Sequence, residues 1–362
     1  MKHVKHALML VCSQAQLLLA MQIRRYMLAD CKVDIILSTE KMRHIYDNKS
    51  LESMFEQVYF VEEKGLKCYE KIFAFFNPAY GIKKYANIFI QKYSDVFFWN
   101  TGWILYYLFK YFVLSPQKWN WHLISDASGS YVVELPEFYK MYGSTFVEKI
   151  LNWIDFHLYK YGNLSKWGYD IYLSSSRFVM YQTKANLVEV PIFDIKDKEY
   201  IAYVNKVFEY KHEPIQEEII FLDTACDGYY DERVLLKVLN DLANCVGEKK
   251  IAIKMHPRDS VEKYRELETS MTVIGKNMAW ELFCINGGIK DKIVIGYIGS
   301  TIVLPYAFLG LKQKVFILEG VIKYNELYKD FEKRHELLHR AIAKENPLFK
   351  IVSSVEEIKE LI

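Results

Sequence analysis

Short apolar segments alternate with amphipathic ones along almost the whole chain, and this alternation limits the folds that the chain can adopt. In the first half, the segment that follows the first apolar run has its apolar side chains at helical spacing. The predicted strands of this half cover residues 7–11, 33–37, 58–61, 121–124 and 169–173, and the first helix covers residues 14–28. We expect the strand at 169–173 to be the last one of this half. Strands that alternate with helices imply parallel sheets.

The alternation begins again after a charged stretch at residues 194–214, which contains a predicted helix at 198–208. The predicted strands of the second half cover residues 219–222, 251–254, 273–274, 293–295 and 314–318, with helices at 231–246 and 302–309. A chain of 362 residues suits two domains. The sequence therefore predicts an α/β protein with two Rossmann-like domains, residues 1–193 and 215–362, which face a central cleft and are joined by a linker at 194–214.

Composition excludes several classes of protein. With 51% hydrophobic and 25% charged residues the chain is typical of soluble globular proteins. Its net charge of +2 argues against nucleic acid binding through bulk charge. The six cysteines are scattered without a C-x-x-C pair, so neither a zinc site nor a disulfide framework is expected. The first residues do not resemble a signal peptide. We expect a cytoplasmic protein.

The segment Ile251-Ala-Ile-Lys-Met-His-Pro-Arg-Asp259 predicts an anion site. A short strand ends at Lys254, the sequence His256-Pro257-Arg258 stops it, and Asp259 opens a charged helical stretch. In a parallel sheet, ligands bind at the carboxyl ends of the strands. A histidine between two cations at that place suits an anionic ligand, because all three side chains could face one point.

A second segment, Ile293-Val-Ile-Gly-Tyr-Ile-Gly-Ser-Thr301, repeats the arrangement. Here a strand runs into glycines, and the pair Ser300-Thr301 is expected to cap the following helix. Backbone N–H groups and hydroxyls at a helix start bind phosphate. The two segments together predict a phosphate site divided over two β/α turns.

Other phosphate-binding and catalytic signatures are absent from the sequence. The chain has no G-x-x-x-x-G-K-[ST] loop, no G-x-G-x-x-G after the first strand and no G-x-S-x-G elbow. It also has no Asp-x-Asp, the usual carboxylate pair that holds a metal-bound nucleotide sugar. What remains is a metal-free site for a donor that carries phosphate, with no cofactor expected.

The segment Lys254-Met-His-Pro-Arg258, the downstream Gly299-Ser-Thr301 and the start Val11-Cys-Ser-Gln-Ala-Gln-Leu-Leu18 resemble bacterial sialyltransferases of glycosyltransferase family 52. The resemblance covers most of the chain in order and spacing. It implies a GT-B type enzyme that transfers sialic acid from CMP-sialic acid, with inversion and without a metal ion. The implied acceptor is a terminal sugar, galactose by expectation, of a bacterial lipooligosaccharide or capsule.

The resemblance also implies roles for individual residues. His256 would protonate or hydrogen-bond the departing CMP phosphate, and an imidazole with a pKa near ~6.5 can donate at neutral pH. A turn histidine satisfied by the backbone is the structural alternative. The implied donor-binding residues are Lys254, Pro257, Arg258, Glu281, Gly299, Ser300 and Thr301.

The catalytic base has two candidates. An inverting transfer needs a carboxylate that takes the proton from the acceptor hydroxyl. Asp227 resembles the family's acidic turn, with Cys226 in place of the first acid, and we favour it narrowly. Asp126 lies in a loop that resembles the family's acidic glycine-rich segment but departs from it at Ser125 and Ala127. Asp223 is a poorer third candidate, expected to cap a strand end.

Expected partners are the CMP-sialic acid donor and an oligosaccharide acceptor that can be lipid-linked. Aromatic residues make up 11 of the 25 positions from Phe97 to Trp121. They predict either a core helix with a strand or an interfacial surface at the inner face of the plasma membrane. A homodimer is a further expectation. Two other functions stay open: the same fold with UDP-hexose or CMP-Kdo as donor, and a non-catalytic subunit of a polysaccharide assembly complex.

Overall fold

Two parallel β-sheets organise the part of the chain that the computed structural model describes. That part comprises residues 6–38, 48–61, 77, 88, 93–98, 119–124, 128–134, 169–211, 214–224, 230–275 and 279–362. The first sheet has seven strands and the second has six among these residues. The α/β prediction with two Rossmann-like domains is confirmed.

The first sheet contains β1 (His6–Val11), β2 (Lys32–Ser38), β3 (Gln57–Val61), β4 (Asp95–Phe98), β5 (Asn120–Ile124), β6 (Asp170–Leu173) and β7 (Asn186–Glu189). Their spatial order is β3-β2-β1-β4-β5-β6-β7, and all neighbours are parallel. Two of these strands, β4 and β7, were not predicted. The expectation that the strand near residues 169–173 ends this half is therefore wrong. The edge strand β7 is only partly buried, so it lacks the continuous apolar run of its neighbours.

The second sheet contains β8 (Ile219–Leu222), β9 (Ile251–Lys254), β10 (Thr272–Ile274), β11 (Ile293–Gly296), β12 (Lys314–Leu318) and β13 (Phe349–Val352). Their order is β10-β9-β8-β11-β12-β13, again parallel throughout. In both sheets the first strand of the half lies at the centre, and the chain returns to it after building one edge. This is the strand order of a Rossmann fold.

Nine α-helices connect and cover these strands among the described residues. They are α1 (Gln14–Tyr26), α2 (Asn48–Glu52), α3 (Gly129–Val132), α4 (Lys198–Val207), α5 (Glu232–Val246), α6 (Trp280–Ile285), α7 (Ser300–Ala307), α8 (Lys329–Glu345) and α9 (Val355–Leu361). The charged stretch predicted after Asp259 forms a short 3-10 helix at Val261–Tyr264 rather than an α-helix. Ser260 caps it by accepting from the Glu262 N–H at 3.3 Å.

Burial explains why the central strands could be recognised. In β8 and β9 every residue is buried, because helices cover both faces of a parallel sheet. Such strands are continuously apolar rather than alternating. The resulting core is contiguous between the halves: the larger cluster of buried residues includes Leu10 of β1 as well as Ile220 of β8.

Helices α4 and α8 link the two halves. Tyr203 of α4 donates to Ser50 O at 2.6 Å, and Asn205 exchanges amide hydrogen bonds of 2.8 Å with Asn286 of the second half. From α8, His335 lies 3.0 Å from the Ser128 hydroxyl of the first half. The segment predicted as a linker therefore contains a packed helix. The domain boundaries themselves stay a prediction.

Candidate functional site

The carboxyl ends of β8 and β11 lie side by side at the centre of the second sheet, where the strand order reverses. Open α/β sheets bind ligands at such a switch point. The turn after β9, the other neighbour of β8, joins them at the same edge. The sheet topology therefore brings together the two segments that the sequence predicts as halves of one phosphate site.

His256 follows β9 by one residue and is partly exposed. Its Nδ1 accepts a hydrogen bond from the Arg258 N–H at 3.2 Å. Because Nδ1 is an acceptor, the neutral ring carries its proton on Nε2. The backbone thus fixes the tautomer, and Nε2–H is a donor at the opposite end of the ring.

The two cations beside His256 have different environments. Lys254 is 5% exposed and its ammonium donates to Met255 O at 3.0 Å, whereas Arg258 is exposed. Burial lowers the pKa of Lys254 to about 8, an effect that the charge of Glu281 partly opposes. The expectation that both cations and the imidazole face one point stays a prediction, and the two cations differ in burial. Its contact with a donor stays a prediction, as does that of the exposed Pro257.

Helix α7 begins at Ser300, and Gly299 is its N-cap. The expectation that Ser300 and Thr301 cap this helix is wrong, because no side chain caps it and the cap residue is the glycine. Gly299 has φ 156° and ψ 158°, a conformation that is essentially confined to glycine. Because glycine has no side chain, Gly299 cannot accept a hydrogen bond from the first backbone N–H groups of α7 through a side chain. Such N–H groups at a helix start suit a phosphate.

Helix α6 begins beside the start of α7, and its residue Glu281 faces the boundary between the two halves. The Thr301 carbonyl accepts from Trp280 Nε1 at 2.8 Å, which ties the start of α7 to the start of α6. Glu281 lines a cavity of about 40 Å³, together with Ala15 and Ser174 of the first half. Ser174 is 2% exposed, and among the described residues nothing hydrogen-bonds its hydroxyl oxygen. The cavity therefore presents polar atoms from both halves to one space.

Asp227 and Asp126 lie outside the described residues, which omit 225–229 and 125–127. Each follows a described strand at its carboxyl end, β8 for Asp227 and β5 for Asp126. Both stay predictions for the catalytic base.

Asp223 is buried and belongs to a hydrogen-bonded cluster that sequence reasoning missed. Its carboxylate accepts from Tyr297 at 2.8 Å and from Lys263 at 2.6 Å. Tyr264 and the Thr224 N–H also donate to it. With both oxygens occupied and 3% exposure, Asp223 is a structural acceptor rather than a base for an incoming sugar. Burial and the nearby Asp223 raise the pKa of Tyr297 well above its ordinary value, so this phenol stays a donor.

The segment that begins at Val11 has a structural explanation. Ser13 caps α1 by accepting from the Gln16 N–H at 3.2 Å, and Gln16 Oε1 accepts from the Cys12 N–H at 2.8 Å. This pairing resembles a capping box. The cysteine and glutamine of the segment therefore define a helix start at the carboxyl end of β1.

Two absences concern the described residues alone. No group of three or more His, Cys, Asp or Glu side chains in the described ranges is arranged to hold a metal ion. Within the same ranges, no helix has both the length and the apolar character needed to cross a membrane. Residues 99–118, which contain most of the aromatic segment, lie outside the described part, so the interfacial surface stays a prediction.

Comparison with known proteins shows the fold. No protein-family model and no curated protein matches the chain. Among solved structures, one described as a putative UDP-N-acetylglucosamine 2-epimerase from Listeria monocytogenes has a TM-score of 0.50 at 9% identity, covering 99% of this chain and 91% of that one. Phytolacca americana UGT2, complexed with UDP-2-fluoro-glucose and pterostilbene, has a TM-score of 0.50 at 6% identity, covering 99% and 89%. The chain has the fold of GT-B glycosyltransferases, with two Rossmann-like domains.

Proposed function

We propose that this chain is an inverting, metal-independent glycosyltransferase that uses a nucleotide-sugar donor, and that CMP-sialic acid is the donor. One observation supports the proposal: the turn of His256 and the start of α7, which has a glycine N-cap and no side-chain cap, follow strands on either side of β8 at the same edge of the second sheet. A donor phosphate at this point would accept from the backbone N–H groups of α7. The choice of sialic acid rests on the sequence resemblance alone.

In this mechanism the bond between the sugar's anomeric carbon and the phosphate oxygen breaks while the acceptor oxygen bonds to the same carbon from the opposite face. His256 Nε2–H donates to the departing phosphate, which stabilises the leaving group. A carboxylate, Asp227 by preference and Asp126 otherwise, takes the proton of the acceptor hydroxyl. The acceptor, a terminal sugar of a surface glycan, would dock from the side of the first half.

A UDP-hexose donor is the second candidate. One similar structure is a putative UDP-N-acetylglucosamine 2-epimerase, and the other is complexed with UDP-2-fluoro-glucose. A phosphate site at a helix start does not distinguish CMP from UDP. Discrimination would have to come from contacts with the base and the sugar. Glu281 is the residue that the family resemblance places near the ribose or base.

The test is calorimetric titration of the chain with CMP, UDP and GDP, each in buffer with EDTA. We expect CMP to bind most tightly and turnover of CMP-sialic acid onto a terminal galactose to continue in EDTA. If UDP binds more tightly than CMP, the donor is a UDP-hexose rather than CMP-sialic acid. Loss of turnover in EDTA with recovery in Mg²⁺ or Mn²⁺ would show that the reaction needs a metal. Binding of a nucleotide without turnover of any nucleotide sugar would favour the non-catalytic subunit.

A further inference from the structure

Asp223 and Lys263 form a buried ion pair beneath the proposed donor site. The Lys263 ammonium lies 2.6 Å from Asp223 Oδ2. The lysine side chain is 5% exposed and the aspartate side chain 0%. Asp259 is the second partner of the lysine, at 2.9 Å. Burial alone would lower the pKa of Lys263, but the two carboxylates raise it, so the lysine stays charged in the fold.

The pair joins the turns after β8 and β11. Asp223 is the first residue after β8, and its Oδ1 accepts from the Thr224 N–H at 2.7 Å. The same oxygen accepts from the hydroxyl of Tyr297, the first residue after β11, at 2.8 Å. Thr224 in turn donates from its hydroxyl to Ile298 O, directly before the glycine cap of α7. One carboxylate therefore holds the backbone that leads to Asp227 and the backbone that leads to Ser300.

The pair also holds the turn after β9. Lys263 and Tyr264 belong to the 3-10 helix that follows the His256 turn, and both donate to Asp223 Oδ2. Tyr230, directly after the 225–229 segment, donates to Thr224 O at 2.7 Å and lies 2.8 Å from the Tyr297 hydroxyl. Thr224 and Tyr230, the residues directly before and after 225–229, thus belong to the same cluster.

The hydrogen bonds to Asp223 come from all three turns, so the cluster relates their positions in addition to the strands beneath them. Removing one partner of a buried ion pair leaves the other charge less well compensated. Without Asp223, Lys263 would keep Asp259 as its only carboxylate partner among the described residues. The turns must then rearrange or admit water. Such a rearrangement would displace the residues that are proposed to contact the donor phosphate.

We propose that Asp223 and Lys263 are positioning residues of the donor site, which hold the His256 turn, the chain after β8 at Thr224 and the start of α7 in the arrangement that receives the nucleotide phosphate. The inference rests on the proposed function. Neither residue touches the donor in this arrangement; both act through the backbone of the three turns.

The test compares Asp223→Asn with a control variant, Leu242→Ala, in the full-length chain. Leu242 is fully buried in α5 and belongs to the same hydrophobic cluster as Tyr264 and Tyr297, but its side chain has no group that can hydrogen-bond to Asp223 or Lys263. Its truncation therefore lowers stability and leaves the ion pair in place. We expect Asp223→Asn to weaken CMP affinity by roughly 10-fold or more, the lower end of what loss of a supporting group costs at metal sites. The donor KM should rise while the acceptor KM stays unchanged. Leu242→Ala should lower the Tm and leave CMP affinity at the wild-type value.

Hydrogen–deuterium exchange provides a second readout that needs no nucleotide. In Asp223→Asn, exchange should become faster in the peptides over residues 223–231, 255–264 and 297–301 together, whereas Leu242→Ala should not change these three selectively. Should Asp223→Asn fail to fold, Tyr297→Phe removes a single hydrogen-bonding hydroxyl and is expected to weaken CMP binding roughly 2- to 10-fold.

The outcomes separate this inference from the proposed function. Wild-type CMP affinity and wild-type exchange in a folded Asp223→Asn protein, or in Tyr297→Phe when that variant is used, would overturn the inference and leave the proposed function intact. A wild-type chain that binds neither CMP nor UDP overturns the proposed function, and with it any role of the pair in placing a donor.

Discussion

Replacing Gly299 by alanine should destabilise the second domain and weaken the proposed phosphate site at once. At φ 156° and ψ 158° a residue with a Cβ is strained by ~1–3 kcal/mol. The added Cβ would also lie 3.0 Å from Thr224 Oγ1, which must shift by a few tenths of an ångström at the expense of its hydrogen bond to Ile298 O. That bond contributes ~0.5–1.5 kcal/mol. We therefore expect Gly299→Ala to lower the free energy of unfolding by ~1.5–4.5 kcal/mol.

Two other glycines of the same domain separate the contributions. Gly320 has φ +73° and no neighbouring atom where an alanine Cβ would lie, so Gly320→Ala should show backbone strain of ~1 kcal/mol only. Gly275 has open space and no left-handed φ, so Gly275→Ala should be neutral or stabilise by up to ~1 kcal/mol. From most to least stable, the expected order is Gly275→Ala, Gly320→Ala, Gly299→Ala.

The assay is urea unfolding of the three variants, monitored by the CD signal, with CMP titration of each folded protein. Only Gly299→Ala should also weaken CMP binding, because its backbone leads into the helix whose N–H groups would hold the phosphate. A difference of ~0.5 kcal/mol is ordinary for a surface substitution. If the free energies of unfolding of Gly299→Ala and Gly275→Ala differ by no more than that, the close approach of Gly299 to Thr224 does not constrain the domain.

Three further predictions concern the mechanism and acid stability. His256→Ala should lower kcat by roughly 10²–10⁴-fold in a folded protein, the range for a lost general acid; near-normal turnover would reduce His256 to a turn residue. Asp227→Asn should abolish turnover with little change in CMP affinity, while Asp126→Asn should mainly raise the acceptor KM; the reverse pattern would make Asp126 the base. Burial lowers the pKa of His335 to about 4 and that of His339 to about 3. Because the unfolded chain binds these protons below pH ~6.5, stability should fall as the pH drops from there toward about 4. His339→Leu should flatten this fall in urea titrations at several pH values, and an unchanged slope would refute the assignment.

Much of the fold could be predicted because strands buried on both faces are continuously apolar. Strands β1, β2, β8 and β9 were found within one or two residues for this reason. Of the unpredicted strands, β7 is a half-exposed edge and lacks that signal. Strand β4 is fully buried, but it is a short run of four residues that leads into the aromatic stretch. Strand β13 was missed as well, because its burial is also incomplete.

The sequence by itself also determined where a ligand site could lie. One predicted strand is followed by Met255-His-Pro and another leads into Gly299-Ser-Thr, so these residues must lie at the carboxyl edge of a parallel sheet. It did not determine the state of each side chain. Lys254 is buried, and Gly299 rather than Ser300 is the cap of α7, because the packing around the strand ends decides burial and backbone conformation.

Only the tertiary structure could identify the cluster around Asp223. Its lysine is 40 positions further along the chain and Tyr297 is 74 positions away, so no local pattern relates them. Strand order brings them together, because β9 and β11 lie on either side of β8 in the sheet. Periodicity records which face of an element is buried, whereas the pairing of buried charges depends on which elements become neighbours.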